Sequence, residues 1–290
     1  MTSASPDSAT ALCTVAALWR YPVKSMLGEA LDEAAVTERG LDGDRRLAVL
    51  DLATGKVASA KQPRLWRGLL SFRATLAEGP AVRIRRHDDA SAWDAGDPAA
   101  DALLSAALRR SVTLIDTPPV GACLDRARPE QVLRDGEAAE VDADVVAFGS
   151  AAPPGTFFDF APLHLVTTAT LARIGALSAR GRVEAERFRP NLVLDTGEGP
   201  FAEHAWAGRE WRVGPELVLR VVASTPRCAV PTLAHGPLPR DPDTLRVPSV
   251  HHRVPALPGR PAEPCVGVYA QVLRPGRVRL GDSFTRQLNI

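Results

Sequence analysis

Short runs of apolar and β-branched residues, each ended by a glycine- or proline-containing turn, constrain this fold most. They recur along the chain at residues 13–23 (CTVAALWRYPV), 69–87 (LLSFRATLAEGPAVRIRRH), 191–196 (NLVLDT), 216–224 (ELVLRVVAS) and 267–273 (GVYAQVL). Runs of this length and composition are typical of strands, and the glycine-containing interruptions indicate hairpins. A second hairpin is expected in LAVLDLATGKVASA, residues 47–60. We therefore expect a twisted sheet that closes into a barrel.

Helical periodicity is rare. Asp97 and Pro98 form a capping pair before one amphipathic segment, and Thr167 or Thr168 caps another with Leu171 and Ile174 on one face. The fold class predicted is mostly β with a few helices (α+β).

Two breaks in these patterns suggest how the chain is divided. Residues 1–10 are polar and predicted disordered, and a polar segment from about 118 to 144 lacks periodicity. We therefore predict one domain over 11–130 and a second over 131–287. The proline-rich stretch 231–264 is expected to be a long surface excursion, with His251 and His252 as solvated loop histidines.

Composition excludes several classes of protein. The formal net charge of +1 gives no broad field for nucleic acid, and no run approaches the ~20 apolar residues that span a bilayer. The polar N-terminus carries no signal-peptide pattern, so a cytoplasmic protein is expected. The four cysteines lie far apart and form neither a zinc motif nor a disulfide framework.

Three loop segments hold side chains that suit an anionic ligand. Cys228 follows an apolar strand beside Arg227, Arg189 and Asn191 precede another strand, and Lys24 is one of three lysines in an arginine-rich chain. Each segment alone fits a structural role equally well or better. His164, in the apolar LHLVT, is interpreted as a hydrogen-bonded core histidine.

Taken in order, the segments RYPVKS, DGDRRLAVLD, KQPRL, FFDFAPLHLVTTATL, RFRPNLVL, PRC and GVYAQVLRPGRVRLGD resemble the MOSC family with its N-terminal β-barrel domain. The resemblance runs from about residue 12 to 284 and implies a molybdenum cofactor (molybdopterin). It implies Cys228 as the catalytic residue and the ligand to molybdenum. It further implies the following cofactor-binding residues: Lys24, Ser25, Arg45, Asp159, Arg189, Asn191, Thr225 and Arg227.

The resemblance implies a molybdenum-dependent oxidoreductase that reduces N-hydroxylated or N-oxide compounds. The chain has no plant-type C-x₄-C-x₂-C run and no GxGxxG fingerprint, so a separate ferredoxin, flavoprotein reductase or cytochrome is expected to supply electrons. The alternative is a carrier of molybdenum cofactor or sulfur without its own turnover. Pyridoxal phosphate has also been linked to the family, but the sequence shows no obvious Schiff-base lysine.

Overall fold

A closed sheet dominates the fold. A computed structural model describes residues 13–76, 81–88 and 91–287, so the prediction for residues 1–10 lies outside the described residues. Within these ranges the strands are β1 (Thr14–Arg20), β2 (Glu29–Leu31), β3 (Glu33–Thr37), β4 (Gly40–Leu41), β5 (Ala48–Asp51), β6 (Phe72–Leu76), β7 (Val82–Arg86), β8 (Ala92–Asp94), β9 (Val112–Ile115), β10 (Cys123–Ala127), β11 (Ala143–Ala147), β12 (Leu163–Thr167), β13 (Leu192–Asp195), β14 (Glu210–Val213), β15 (Leu217–Pro226), β16 (Arg253–Pro255), β17 (Ala262–Arg274), β18 (Gly276–Arg279) and β19 (Phe284–Arg286).

The helices are short and lie outside the sheets. The α-helices are α1 (Pro63–Trp66), α2 (Ala100–Leu108), α3 (Pro129–Asp135), α4 (Thr168–Leu177) and α5 (Asp243–His251). The 3-10 helices span Arg67–Ser71, Ala185–Phe188, Ala202–Trp206 and Val230–Thr232. None of the helices within the described residues has the length and apolar character needed to cross a membrane.

The main sheet has the order β19-β14-β15-β17-β12-β13-β1-β2, with β16 added to β17. Backbone bonds from Val15 N to Asp282 O (3.0 Å) and from Phe284 N to Cys13 O (2.7 Å) join β1 to β19 and close the sheet into a barrel. Closure leaves β1 and β19 no free edge on that side. The predicted barrel and the α+β class are confirmed.

The barrel interior is apolar because alternate side chains of its strands face inwards. Trp211 and Phe284 stack there with ring centroids 4.5 Å apart, and Trp206 packs beside both. A separate core lies under β6, β7 and β8 and includes Phe72 and Trp93. The chain therefore has two main apolar cores, and residues 15–41 contribute to the barrel core together with the second half of the chain.

Local predictions are partly confirmed. The 69–87 segment forms the β6–β7 hairpin, and Thr167 caps α4 by accepting from Thr170 N at 3.1 Å. In 47–60 the expected hairpin forms only in part: Leu50 and Val57 make one antiparallel bridge, with Asp51 N donating to Lys56 O at 2.9 Å and Ala58 N to Val49 O at 2.8 Å. The continuous ladder of β5 is with β9. The 97–98 helix start is also displaced, since α2 begins at Ala100.

Two segments expected to be irregular are ordered, which corrects the sequence analysis. Residues 118–144 contain β10, α3 and the start of β11, and the boundary predicted between residues 130 and 131 falls inside α3. Residues 231–264 contain α5 and β16, and α5 buries Leu245 and Val247. His251 is exposed as expected, but His252 stacks on Phe201 with centroids 3.9 Å apart.

Candidate functional site

One cavity of about 650 Å³ brings the predicted residues together. Side chains from before residue 130 and from the barrel both line it. Every residue that the family resemblance implied is among them, namely Lys24, Ser25, Arg45, Asp159, Arg189, Asn191, Thr225, Arg227 and Cys228. Its volume lies in the range of protein sites for small molecules and cofactors.

Cys228 lies where β15 leaves the barrel. The thiol is half-buried and free, and it packs against an apolar cluster that includes Leu27 and Val230. The strand end is fixed because Pro226 pairs with Cys265 and Arg227 N donates to Pro264 O at 2.9 Å. Within the described residues no three potential metal ligands converge, so a metal here would depend on this thiol and on ligands from outside the chain.

The Arg227 side chain is held by the barrel wall. Its guanidinium donates to Thr225 O at 3.2 Å and to Phe188 O at 3.1 Å, and Nη2 lies 3.0 Å from His164 Nε2. These bonds orient Arg227 without using Cys228 as an acceptor. The buried hydroxyl of Thr225 has no hydrogen-bond partner among the residues that the structure describes.

His164 is buried and hydrogen-bonded, as the sequence predicted, but it also lines the cavity. Burial and the charge of Arg227 lower its pKa well below the usual value, so the ring is neutral. Because a guanidinium can only donate, Nε2 accepts from Arg227. A Cβ on Gly267 would lie 2.5 Å from this nitrogen and 2.3 Å from Leu165 O, which explains the glycine there.

Two lysines share one carboxylate. Lys24 Nζ lies 2.7 Å and Lys61 Nζ 3.0 Å from Asp159 Oδ1, and Lys24 also donates to Phe157 O at 2.8 Å. Burial lowers the pKa of Lys24 to about 8, against the opposing effect of Asp159. Burial works against ionisation of Asp159, but the two ammonium groups hold its pKa far below the usual range. One positive charge is left unbalanced.

A second cluster joins Arg45 to Asn191. Arg45 forms an ion pair with the buried Asp44, and Asn191 Nδ2 donates to the same carboxylate at 2.9 Å. Asn191 Oδ1 accepts from His164 N at 3.1 Å. The Asn191 side chain therefore links the carboxylate of Asp44 to the start of β12.

Arg189 reaches the cavity from a turn. Its guanidinium stacks over the Tyr21 ring, 4.3 Å from the centroid, and donates to Met26 O. Burial, with the nearby charge of Arg45, lowers the pKa of Arg189 to about 10. Arg189 ends the 3-10 helix Ala185–Phe188 in the left-handed region of backbone conformation.

Left-handed backbone is concentrated at this site. Among the described residues five non-glycine positions have positive φ, and three of them line the cavity: Ser25 (64°), Arg45 (46°) and Arg189 (55°). Such conformations are uncommon for residues with a Cβ and persist where surrounding structure enforces them. Backbone contacts, such as Arg45 N to Tyr21 O at 2.8 Å, enforce them here.

The cavity carries an excess of positive charge. Eight of its lining side chains are cationic and two, Asp159 and Glu263, are acidic. Asp44 and Glu184 neutralise Arg45 and Arg187 from behind the wall, and positive charges still remain in excess. Buried cations require counter-charge, so the cavity favours an anionic ligand.

Sequence reasoning missed several lining residues. Lys61 was not distinguished from Lys56, yet Lys56 pairs with Asp125 at 2.7 Å outside the cavity. Arg126 was placed in an irregular segment, but it lines the cavity from β10. Lys61 begins KQPRL, one of the segments that resemble the family, and that segment could have indicated it.

Comparisons with known proteins give one family. The MOSC domain matches residues 153–285, and the MOSC N-terminal beta barrel domain matches residues 12–111. The chain is 28% identical to mitochondrial amidoxime-reducing component 1 of Mus musculus, over 93% of this chain and 81% of that protein. It is 25% identical to mitochondrial amidoxime reducing component 2 of Rattus norvegicus, over 95% of this chain and 84% of that protein.

Among solved structures, the YuaD protein from Bacillus subtilis aligns over 94% of this chain and 93% of its own, at a TM-score of 0.41 and 12% identity. The two domain matches together span most of the chain, in the order that the sequence motifs predicted. The chain therefore belongs to the MOSC family, with an N-terminal MOSC β-barrel domain preceding the MOSC domain.

Proposed function

We propose that this chain binds a molybdenum cofactor in the cavity, with the Cys228 thiolate as its ligand to molybdenum, and reduces N-hydroxylated or N-oxide compounds. The relatives named amidoxime-reducing components support the reaction class. The observation that carries the proposal is that one cavity is lined by a half-buried thiol and by cations in excess over acids. A thiolate is a soft ligand suited to a transition metal, and the cations suit the phosphate of a pterin cofactor.

The residues present fit such a group. Lys24, Ser25 and Arg45 would hold the pterin and its phosphate, and Arg189 and Asn191 would complete the pocket. The positive charge of the pocket requires an anionic ligand, because the single carboxylate of Asp159 pairs with both Lys24 and Lys61. The hydroxyl of Thr225, three residues before Cys228, has no partner among the described residues and would donate to such a group.

When bound, the cofactor would supply two-electron oxygen-atom transfer. The chain contributes binding, orientation and electrostatics. The Arg227–His164 contact holds the wall behind Cys228, and the fixed end of β15 sets where the thiol lies. Removal of oxygen from an N-hydroxylated compound as water consumes two electrons and two protons, so a reductant is required.

We propose a separate electron donor, a ferredoxin, flavoprotein reductase or cytochrome. The four cysteines are free thiols, and the sequence has neither an iron–sulfur motif nor a dinucleotide fingerprint. The chain should therefore be active with dithionite-reduced viologen and inactive with NADH or NADPH alone.

The proposal is tested with protein made in a host that synthesises molybdenum cofactor. We expect about one molybdenum per chain by elemental analysis, and viologen-driven turnover of benzamidoxime or hydroxylaminopurine. Protein that carries molybdenum but reduces no N-oxygenated compound would overturn the reductase assignment. Transfer of cofactor to an apoenzyme without consumption of reductant would instead support the carrier alternative.

A further inference from the structure

The segment between the two family matches, residues 112–152, builds part of the cavity wall. Arg126 and residues 146–148 line the cavity from the β10–β11 hairpin. Arg126 shares a face of β10 with the buried Leu124, whereas Asp125 on the other face pairs with Lys56. Alternation along β10 therefore directs Arg126 inwards.

The strand that carries Arg126 is fixed beside the Cys228 loop. Ala127 N donates to Lys61 O at 3.0 Å, and Ala127 packs against Ala229, the residue after Cys228. Arg126 is thus one residue from a direct contact with the loop that presents the thiol.

Arg126 differs from most cavity cations because its side chain has no partner in the part of the chain that the structure describes. Lys24 and Lys61 pair with Asp159, and Arg227 donates to barrel carbonyls. No described residue accepts a hydrogen bond from, or forms an ion pair with, the side chains of Arg126 and Arg260, although Glu263 lines the same cavity. Arg126 is also half-buried, whereas Lys24 and Arg227 are almost fully buried, so a molecule entering from solvent can reach it.

We propose that Arg126 binds a carboxylate of the substrate, so that the preferred substrates are N-hydroxylated compounds that carry a carboxylate. A guanidinium presents two parallel donors that match the two oxygens of one carboxylate. The N–O group of such a compound would then face the Cys228 side of the cavity while its acidic group remains at β10. This inference rests on the proposed function and assigns it a substrate class.

The test compares two probes on the cofactor-loaded full chain: neutral benzamidoxime and 4-carboxybenzamidoxime. Calorimetric binding is measured on oxidised protein without reductant, so that affinity is read independently of turnover. The wild-type chain should bind the carboxylated probe about tenfold more tightly. Equal affinities for the two probes in the wild-type chain would overturn the inference, whatever happens to the variants.

Three variants locate the effect. Arg126→Gln should remove the preference, and Arg126→Lys should keep part of it because the charge remains. The matched control is Arg128→Gln, two residues along, whose exposed side chain pairs with Asp144 at 3.8 Å and does not line the cavity. This control should keep the full preference.

Two further results would contradict the assignment. A preference that survives Arg126→Gln would place the carboxylate elsewhere, and loss of bound molybdenum in that variant would assign Arg126 to the cofactor. Failure of the proposed function has a different signature. In that case the binding preference persists, but neither probe is reduced by dithionite-reduced viologen.

Discussion

The guanidinium of Arg227 donates to the imidazole of His164, with 3.0 Å between Nη2 and Nε2, and both groups are buried in the cavity wall. His164→Ala would leave a buried donor of Arg227 without its acceptor, at a cost of ~1–3 kcal/mol in the free energy of unfolding. Urea denaturation measures this loss. His164→Gln, which keeps an acceptor oxygen, should lose less, and His251→Ala at an exposed position should lose nothing. Equal stability of all three variants would show that the contact contributes nothing.

The thiol of Cys228 should be required for metal binding but not for folding. Because it is half-buried at the cavity and its loop is fixed by backbone bonds, Cys228→Ala should remove at least about nine-tenths of the bound molybdenum and abolish turnover. Circular dichroism should be unchanged. Cys123→Ala, at a thiol that does not line the cavity, is the control. Full molybdenum-dependent activity in Cys228→Ala would falsify the central assignment.

Lys61 should matter for cofactor retention as much as Lys24 does. Both contact the same oxygen of Asp159, so Lys61→Met and Lys24→Met should each weaken retention about tenfold, the equivalent of one charge-assisted hydrogen bond. Lys56→Met, at a lysine paired with Asp125 outside the cavity, should retain cofactor normally. Molybdenum content after dialysis measures the difference. Equal retention by the Lys61 and Lys56 variants would contradict this role of Lys61.

Stability should fall as the solution becomes acidic, in part through His235. The ring is fully buried, Nδ1 donates to Leu233 O at 2.9 Å, and burial lowers the pKa to about 4. In the unfolded chain the His235 ring binds a proton below its ordinary pKa of about 6.5, whereas in the folded chain it does so only near pH 4. The free energy of unfolding therefore decreases as pH falls from 6.5 towards 4. At pH ~5 this effect lowers the free energy of unfolding by ~2 kcal/mol relative to neutral pH.

Urea denaturation at pH ~7.5 and ~5 measures this dependence. His235→Gln should show a smaller loss between the two conditions than the wild-type chain, and His251→Gln, at an exposed position, should match the wild type. An identical pH dependence in all three proteins would contradict the assignment to His235.

The barrel strands β1, β13, β15 and β17 were predictable because their apolar runs are continuous, whereas β2 and β19 have three residues each and were not predicted. β10 was missed because two charged residues, Asp125 and Arg126, interrupt its apolar pattern. Asp125 forms an ion pair with Lys56, and Arg126 lines the cavity. The order in α5 was hidden by Pro248 within the helix and by the prolines around it, although Leu245 and Val247 are buried. The residues next to a charged side chain in the sequence do not predict its long-range contacts in the fold.

The same limit applies to the site. Cys228, Arg189 and Lys24 could be named because their motifs match a family, whereas Arg126 lies outside every matching segment and reaches the cavity only through the packing of the chain. His164 was correctly predicted to be buried, but its contact with Arg227 joins residues 63 positions apart. Such a contact depends on the pairing of both β12 and β15 with β17, which no single segment encodes.

The left-handed backbone at Ser25, Arg45 and Arg189 is tied to the side chains that these residues carry. Glycine would relieve a conformational cost of ~1 kcal/mol or more at each position. It would also leave Ala60 N without its acceptor Ser25 Oγ, the buried Asp44 without Arg45, and Met26 O without Arg189. Because an unpaired buried charge costs about 3–5 kcal/mol, the loss outweighs the relief at position 45. Laboratory selection for thermal resistance alone should therefore retain arginine at that codon, even in protein that binds no ligand.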